Sequence, residues 1–381
     1  MDFTLSKEHE MLRKMYRDFA ENEIKPLAAE IDEEERFPKE SIPKLARYGF
    51  LGIPFPKKYG GQGGTNLAYA MAIEELAKCC TTTATIVAAH TSLCCYPIYA
   101  YGTEEQKMKY LPDLLSGRKL GAFGLTEPNA GSDASGQQTM AVLEGDHYVL
   151  NGTKCFITNA TEADIFVVFA MTDPHLGNHG ISAFIVEKDF PGFSIGKHEK
   201  KMGIRGSATS DLIFEDCIVP KENMLGKEGK GFKVAMGTLD GGRVGVAAQA
   251  TGIAEGAIEE TVKYTKERMQ FKKRISQFQN TQFQLADMKT RADAAQLLVY
   301  RAAAAKDAGD PDTGFYSAMA KLFASETASD VTRRAVQLFG GYGYTREYPV
   351  ERMMRDAKIT EIYEGTSEVQ RMVISGGLGI K

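Results

Sequence analysis

The sequence lacks the features that mark membrane, secreted or nucleic-acid-binding proteins. Its net charge is only -4 over 381 residues, so nothing favours a nucleic-acid partner. The first residues contain neither a basic stretch nor an apolar core, which argues against a signal peptide. Every apolar run is far shorter than a membrane span. We therefore expect a cytoplasmic protein without membrane insertion.

Cysteine and histidine are few and are not spaced for metal binding. The six cysteines form two adjacent pairs and two single residues without a CxxC motif, and the six histidines include no HExxH spacing. We expect reduced, buried thiols and no metal site. A GxGxxG motif after a strand is also missing, which disfavours a Rossmann dinucleotide domain.

Hydrophobic periodicity divides the chain into three expected domains. Residues 1–121 have a helical period, residues 122–230 contain short strand patterns separated by turn residues, and residues 231–381 return to long helices. The expected fold class is α+β, mainly α. It comprises an N-terminal helical domain, a middle antiparallel β-barrel or sandwich, and a C-terminal helical bundle.

Local signals predict where several elements begin. Thr65 is an expected N-cap, and Thr103 with Gln106 forms a capping box. Asn151-Gly152 is an expected turn between two strands. Asp240-Gly241-Gly242-Arg243 is expected to open a long helix, rich in Ala and Gly, that can pack closely against its neighbours.

The stretch Tyr363-Glu364-Gly365-Thr366 places a carboxylate in a tight loop between two helices. The glycine ends the first helical pattern, and Ser367 with Gln370 forms a capping-box pattern for the second. Apolar neighbours would desolvate Glu364 and raise its pKa towards a value useful for a base. The residues also leave open a solvated Glu before a helix N-terminus, where the helix dipole favours an anion.

Two further segments contain candidate binding residues. Pro and Gly in Phe123–Asp133 exclude a regular element there, while the hydroxyls of Thr126 and Ser132 and the backbone amides could bind a flat polar ring and phosphates. Phe156-Ile157-Thr158 lies within a segment whose pattern predicts a strand. Taken alone, Phe156 would be a core residue of the β-domain.

Together these segments resemble the acyl-CoA dehydrogenase family. The resemblance rests on 123–133, 156–158, 337–341 and 354–370, which occur in the family's order, and it covers nearly the whole chain. Within this family, the chain most resembles the bacterial short-chain, butyryl-CoA type. The resemblance implies FAD-dependent conversion of a short-chain acyl-CoA to the 2-enoyl-CoA, or the reverse reaction. It also implies a homotetramer and an electron-transferring flavoprotein as partner.

The resemblance assigns roles to individual residues. Glu364 would be the base that removes the thioester α-proton while a hydride leaves the β-carbon for flavin N5. The implied FAD contacts are Phe123, Leu125, Thr126, Gly131, Ser132, Phe156, Ile157, Thr158, Arg268, Phe271, Phe278, Gln279, Gln337, Leu338, Gly340, Gly341, Thr366 and Glu368. The implied substrate contacts are Ser132, Asp240, Arg243, Tyr363 and Gly365. The Gln337–Gly341 segment would reach a cofactor bound to a neighbouring subunit.

The sequence departs from the family pattern in one loop. Lys272-Lys273-Arg274 stands where the family commonly has a glycine and a proline, which puts the shape of an FAD diphosphate loop in doubt. In the isovaleryl-CoA subgroup the base lies at the position of Gly242, which cannot serve as one. An acyl-CoA oxidase is disfavoured because such chains are much longer. A catalytically silent CoA-binding scaffold is a further alternative.

Overall fold

Helices flank one central sheet in the computed structural model, which describes residues 4–380. The N-terminal helices are α1 (Lys7–Phe19), α2 (Ala28–Glu33), α3 (Ser41–Arg47), α4 (Asn66–Cys79), α5 (Thr81–Ala88), α6 (Tyr96–Tyr101) and α7 (Glu104–Leu115). A π-helical segment, Ala89–Cys95, joins α5 to α6, and all of its residues are buried. Such π-helical turns occur frequently at functional sites.

The predicted caps of the N-terminal helices are confirmed. The Thr65 hydroxyl accepts a hydrogen bond from the Ala68 backbone N–H at 3.0 Å and begins α4. Thr103 and Gln106 make both hydrogen bonds of a capping box at the start of α7. These signals depend only on neighbouring residues, so the sequence reveals them without knowledge of the fold.

The middle of the chain forms one sheet that is largely antiparallel. Its strands are β1 (Gly121–Gly124), β2 (Met140–Glu144), β3 (His147–Ile157), β4 (Ile165–Met171), β5 (Ile181–Glu187), β6 (Phe193–His198), β7 (Ser210–Pro220) and β8 (Met224–Leu225). Their order is β6-β7-β3-β2-β4-β5-β8, and β1 pairs in parallel with β4. The expectation of purely antiparallel pairing is wrong for β4, with which β1 and Met140 of β2 pair in parallel. Strand β1 also occupies the start of the segment that we expected to be irregular.

The predicted turn at Asn151-Gly152 is wrong. Both residues lie inside β3, where the pairing with β7 shifts register between Leu150 and Gly152. Gly152 has a φ of 147°, and a Cβ there would lie 2.6 Å from the Thr139 hydroxyl oxygen. The glycine therefore serves a bulge and a close approach of two strands, which local sequence cannot distinguish from a turn.

The C-terminal region is a bundle built on one long helix. Its elements are α8 (Gly231–Glu267), β9 (Met269–Gln270), β10 (Lys273–Arg274), α9 (Gln279–Asp307), α10 (Thr313–Phe339), α11 (Val350–Ile359) and α12 (Ser367–Gly377). Asp240–Arg243 lies inside α8 and does not open it, which corrects the prediction. Two successive glycines would ordinarily weaken a helix interior, so a tertiary reason for them is required.

Glycines on α8 allow it to pack directly against α4. A Cβ added to Gly252 would lie 2.2 Å from the Glu74 carbonyl oxygen, and one added to Gly256 would lie 2.7 Å from the Lys78 carbonyl oxygen. Neither backbone oxygen can move without disturbing α4. The close packing that the Ala- and Gly-rich sequence predicted is therefore present at this contact.

Buried thiols and the absence of spanning helices complete the description. All six cysteines are free and buried, as expected. Within residues 4–380, no helix combines the length and apolar character that crossing a bilayer requires.

We predict that Gly252→Ala destabilises the protein, because the new methyl group meets backbone on α4. Overpacking of this kind costs about 1–3 kcal/mol, partly offset by the better helix propensity of alanine. Urea unfolding provides the measurement. Gly376→Ala is the matched control, since a Cβ at this α12 position meets no atom within 4 Å. Equal unfolding midpoints for the two variants would show that the α4–α8 contact is not tight.

Candidate active site

A cavity of about 270 Å³ lies where the helical regions meet the sheet. Its walls come from segments that are far apart in the chain but that the sequence had singled out separately. The predicted site residues that line it are Phe123, Leu125, Thr126, Gly131, Ser132, Phe156, Ile157, Thr158, Arg243, Tyr363, Glu364 and Gly365. The fold therefore unites the predicted base with the residues expected to contact the flavin ring.

Glu364 lies in the short loop between α11 and α12, as predicted. It has a φ of 53°, and Gly365 follows with a φ of 94°. The left-handed region costs a residue with a side chain roughly 1–2 kcal/mol. Strain of this kind persists where the surrounding structure enforces it, and it is concentrated at functional sites.

The predicted capping box of Ser367 and Gln370 after this loop is wrong. Thr366, not Ser367, is the N-cap of α12, and its hydroxyl accepts from the Val369 N–H at 3.3 Å. The Gln370 side-chain amide instead donates to the Gly365 carbonyl at 2.8 Å and to the Glu364 carbonyl at 3.3 Å. The glutamine therefore braces the loop that carries the carboxylate.

The Glu364 carboxylate is desolvated and incompletely paired. Its Oε2 atom is buried and has no hydrogen-bond partner. Burial raises the pKa of Glu364 to about 7, while Lys321, Arg243 and Lys306 oppose the rise. The alternative of a solvated surface glutamate is therefore wrong. A carboxylate with this pKa and a free acceptor atom is suited to general-base chemistry near neutral pH.

The successive glycines inside α8 are explained by this carboxylate and a nearby lysine. A Cβ added to Gly242 would lie 2.1 Å from Glu364 Oε2, and one added to Gly241 would lie 2.3 Å from Lys306 Nζ. Any side chain at Gly242 would collide with the base. The helix accepts two weak helix formers because the space beside them is already occupied.

Arg243 reaches the cavity, whereas Asp240 contacts it only through Arg243. Arg243 is buried, and its Nη1 donates to the Asp240 carboxylate at 2.6 Å, while its Nε has no partner. Burial lowers the pKa of Arg243 and raises that of Asp240. Asp240 is not among the residues that line the cavity. Its predicted contact with substrate therefore stays a prediction.

A buried ion pair that sequence reasoning missed shapes the irregular wall of the cavity. Lys154 is fully buried in β3, and its Nζ lies 2.6 Å from Glu127 Oε1 and donates to the Gln137 side chain at 3.0 Å. Glu127 also accepts from the backbone N–H groups of Gln138 and Thr139. The only feature of the sequence that could have indicated this ion pair is a lysine in an otherwise half-apolar strand. The pair fixes the 125–139 backbone without regular structure.

The wall formed by this segment fits a flat ring with polar edges. Phe156 is 64% exposed, so the prediction of a core residue is wrong. Its backbone has a φ of 60°. Thr126 and Thr158 present half-buried hydroxyls to the cavity, and a Cβ at Gly131 would meet no atom within 4 Å. Hydroxyl groups, an exposed aromatic ring and accessible backbone are the donor set that a flavin requires.

The predicted residues for the distal part of the cofactor lie elsewhere. Arg268, Gln337, Leu338, Gly340 and Gly341 line a second cavity that shares no lining residue with the first. The remaining predicted contacts line neither cavity: Phe271, Phe278, Gln279, Thr366 and Glu368. The single chain therefore presents the expected cofactor residues at two separate places.

The atypical basic loop forms a two-residue hairpin between β9 and β10. Phe271 and Lys272 are its central residues, with φ of 51° and 64°. Such turns favour glycine, because both central residues take positive φ. The hairpin therefore forms although the usual glycine is missing, and it holds Phe271 88% exposed.

Gln249 at the cavity wall escaped sequence reasoning because nothing local marks it. Gln249 is fully buried in α8, and Thr85 and Leu93 come from α5 and the π-helical segment. The Tyr363 hydroxyl donates to Gln249 Oε1 at 2.6 Å, and Gln249 Nε2 donates to the Thr85 hydroxyl at 2.9 Å. Only the fold brings these three polar groups together at the cavity wall.

The cavity combines a buried carboxylate with a wall suited to a flat ring, an arrangement typical of an oxidoreductase. The chain matches the acyl-CoA dehydrogenase N-terminal domain over residues 6–118, the middle domain over residues 122–217 and the C-terminal domain over residues 229–379. It therefore belongs to the acyl-CoA dehydrogenase family.

Individual relatives agree over the full length. A short-chain specific acyl-CoA dehydrogenase of Clostridium acetobutylicum is 63% identical over 376 residues, which is 99% of each chain. The structure of butyryl-CoA dehydrogenase from Megasphaera elsdenii is 55% identical, with a TM-score of 0.97 over 99% of this chain and 100% of that one. A chain from a structural study of the electron transferring flavoprotein of Acidaminococcus fermentans and flavin-based electron bifurcation is 57% identical, with a TM-score of 0.98 over 99% of both chains.

We predict that Gly242→Ala impairs catalysis far more than folding, because its methyl group would displace the Glu364 carboxylate. A displacement of about 1 Å can cost roughly a hundredfold in rate. Flavin reduction by butyryl-CoA in a stopped-flow instrument gives the rate, and thermal unfolding gives the stability. An alanine variant with the unmodified rate would show that Glu364 does not need this space.

Proposed function

We propose that the protein interconverts a short-chain acyl-CoA and its 2-enoyl-CoA, with Glu364 as the base that exchanges the α-proton. The Glu364 carboxylate carries this proposal, since Glu364 lines the cavity together with the wall expected to hold the cofactor, and its Oε2 is buried without a hydrogen-bond partner. The cofactor is FAD, which when bound accepts the hydride from the β-carbon. A silent scaffold would have no use for a strained carboxylate with a raised pKa.

The chain itself supplies the groups that the α-proton transfer requires. The α-hydrogen of a thioester is weakly acidic. As this proton leaves the α-carbon, negative charge develops on the thioester carbonyl oxygen. The Glu364 backbone N–H makes no hydrogen bond to another described residue, so it is free to donate to that oxygen. Substrate that fills the cavity excludes water from Glu364, which raises its pKa further and strengthens it as a base.

A hydrogen-bonded wall supports the preference for short acyl chains. Tyr363, Gln249 and Thr85 form a continuous chain of hydrogen bonds at one side of the cavity. An acyl tail long enough to reach this wall would separate these groups and leave buried polar atoms unpaired, at a cost of about 1–3 kcal/mol each. A short acyl group leaves the hydrogen bonds intact.

The two separate cavities support a site completed by a second subunit. Arg268 and the Gln337–Gly341 segment lie apart from the flavin wall, and a guanidinium group suits a diphosphate as a bidentate donor. We propose that these residues hold the distal half of the FAD bound to a neighbouring subunit in the homotetramer. The exposed Phe271 hairpin lies on the same surface and would be covered in this assembly.

The redox partner is an electron-transferring flavoprotein, whose redox poise would set the direction of the reaction. The partner supplies the driving force for either direction, because the α-proton and β-hydride transfers are microscopically reversible. We propose a cytoplasmic location, which is supported by six buried cysteines that all remain free thiols.

We predict that Glu364→Gln abolishes turnover while leaving FAD and butyryl-CoA bound. Glutamine has nearly the same shape but cannot accept the proton, and a general base contributes about 10²- to 10⁴-fold. In the unmodified enzyme only the ionised carboxylate acts. At limiting butyryl-CoA, where the pKa of the free enzyme governs, the rate of flavin reduction should therefore rise with pH through about 7, the pKa of Glu364.

Stopped-flow flavin reduction under anaerobic conditions measures both effects, and the visible spectrum reports the FAD content. Glu361→Gln is a suitable control, since Glu361 lies in the same loop but does not line the cavity. Reduction of the Glu364→Gln flavin at the unmodified rate would remove Glu364 from the role of base.

We predict that Gln249→Ala shifts the substrate preference towards longer acyl chains, because it removes the centre of the polar wall. The ratio of kcat/KM for hexanoyl-CoA to that for butyryl-CoA should rise by about tenfold or more, as expected for added space in an apolar pocket. Gln62→Ala, an exposed position away from both cavities, should leave the ratio unchanged. An unchanged ratio in Gln249→Ala would place the acyl end elsewhere.

A further inference from the structure

Lys321 is a buried cation beneath the catalytic loop for which sequence reasoning predicted no role. It lies on α10 and is 0% exposed, and its Nζ donates to the Gly365 carbonyl at 2.6 Å. That carbonyl belongs to the residue directly after Glu364. Within residues 4–380, no carboxylate lies close enough to Lys321 to form a salt bridge.

A neutral side chain already serves the same carbonyl. Gln370 Nε2 donates to the Gly365 carbonyl at 2.8 Å, so holding the loop by hydrogen bonds does not by itself require a charge. Placing an ammonium group away from water costs several kcal/mol unless an opposite charge lies near it. The buried charge of Lys321 therefore needs an electrostatic reason.

The carboxylate of Glu364 provides that reason. Among the groups that oppose the raised pKa of Glu364, Lys321 acts most strongly, ahead of Arg243 and Lys306. The effect is reciprocal: burial lowers the pKa of Lys321 to about 8, and Glu364 is the foremost group opposing this change. The other charged groups that act on Lys321 are Arg243, Glu361 and Glu368.

We propose that Lys321 is a positioning residue for the base: its ammonium group fixes the Gly365 carbonyl and keeps the adjacent Glu364 carboxylate ionised inside the closed cavity. This inference rests on Glu364 acting as the base. Lys321 does not line the cavity, so it acts on Glu364 and its loop and not on the substrate. The arrangement balances two demands, since burial makes the base strong and the cation keeps a usable fraction of it deprotonated.

The test is the pH profile of flavin reduction by butyryl-CoA in the FAD-loaded enzyme, from about pH 6 to about pH 9. Lys321→Met removes the charge and the donor, while Lys321→Gln removes the charge and keeps a donor. Both should move the midpoint upwards by about one pH unit, because the carboxylate loses the cation that opposes its raised pKa most strongly. At pH values well below the original midpoint the rate should fall about tenfold.

Two further variants separate the effect of the Lys321 charge from that of a hydrogen bond to the Gly365 carbonyl. Lys321→Arg keeps the cation and should return the midpoint towards that of the unmodified enzyme. Gln370→Met removes the neutral donor from the same carbonyl, so it should lower the maximal rate without moving the midpoint. If Lys321→Met does not fold, Lys321→Gln decides the question, since it keeps the hydrogen bond to the loop.

The outcomes distinguish this inference from the proposed function. Midpoints unchanged in Lys321→Gln, together with a Glu364→Gln variant that has lost flavin reduction, would overturn the role of Lys321 and leave the base in place. A Glu364→Gln variant that still reduces its flavin would instead overturn the base itself. An upward shift in Lys321→Gln that Lys321→Arg reverses would establish the proposal.

Discussion

The arrangement of the site follows from keeping one carboxylate away from water at a strained turn. Glu364 takes positive φ in the loop before α12, and its Oε2 lies against the surface left open by Gly242. Burial strengthens the carboxylate as a base, and surrounding cations limit the rise in its pKa to about 7. Each neighbouring feature either makes room for this group, braces its loop or balances its charge.

The long helix α8 and the Glu127–Lys154 pair place the two walls of the cavity. The glycines of α8 allow close contact with α4 at one level and with the Glu364 carboxylate at another, so the same helix sets both the packing and the site. The buried ion pair fixes the opposite, irregular wall. A buried ion pair can hold such a segment in one conformation where no strand or α-helix does so.

Much of this was predictable from the sequence, because several segments carry family motifs and because caps and periodicity are local. Glu364 and the residues expected to contact the flavin ring were predicted in this way, and they line one cavity. Gly152 was misread as part of a turn and Gly242 only as a position unable to act as a base, because the reason for each glycine is a contact made in the folded chain. Gln249, Lys154 and Lys321 have ordinary local sequences. Their roles arise when helices and strands distant in the chain bury their polar groups together.

The most direct test of the central claim is a crystal structure of the FAD-loaded protein with a thioester analogue of butyryl-CoA that cannot be oxidised. The account predicts the α-carbon within about 3–3.5 Å of a Glu364 carboxylate oxygen, as a near-attack geometry requires. It also predicts the β-carbon on the side of the Phe156–Thr158 wall, with the Glu364 N–H donating to the thioester oxygen. An α-carbon next to a different carboxylate, or a Glu364 side chain turned out of the cavity, would contradict it.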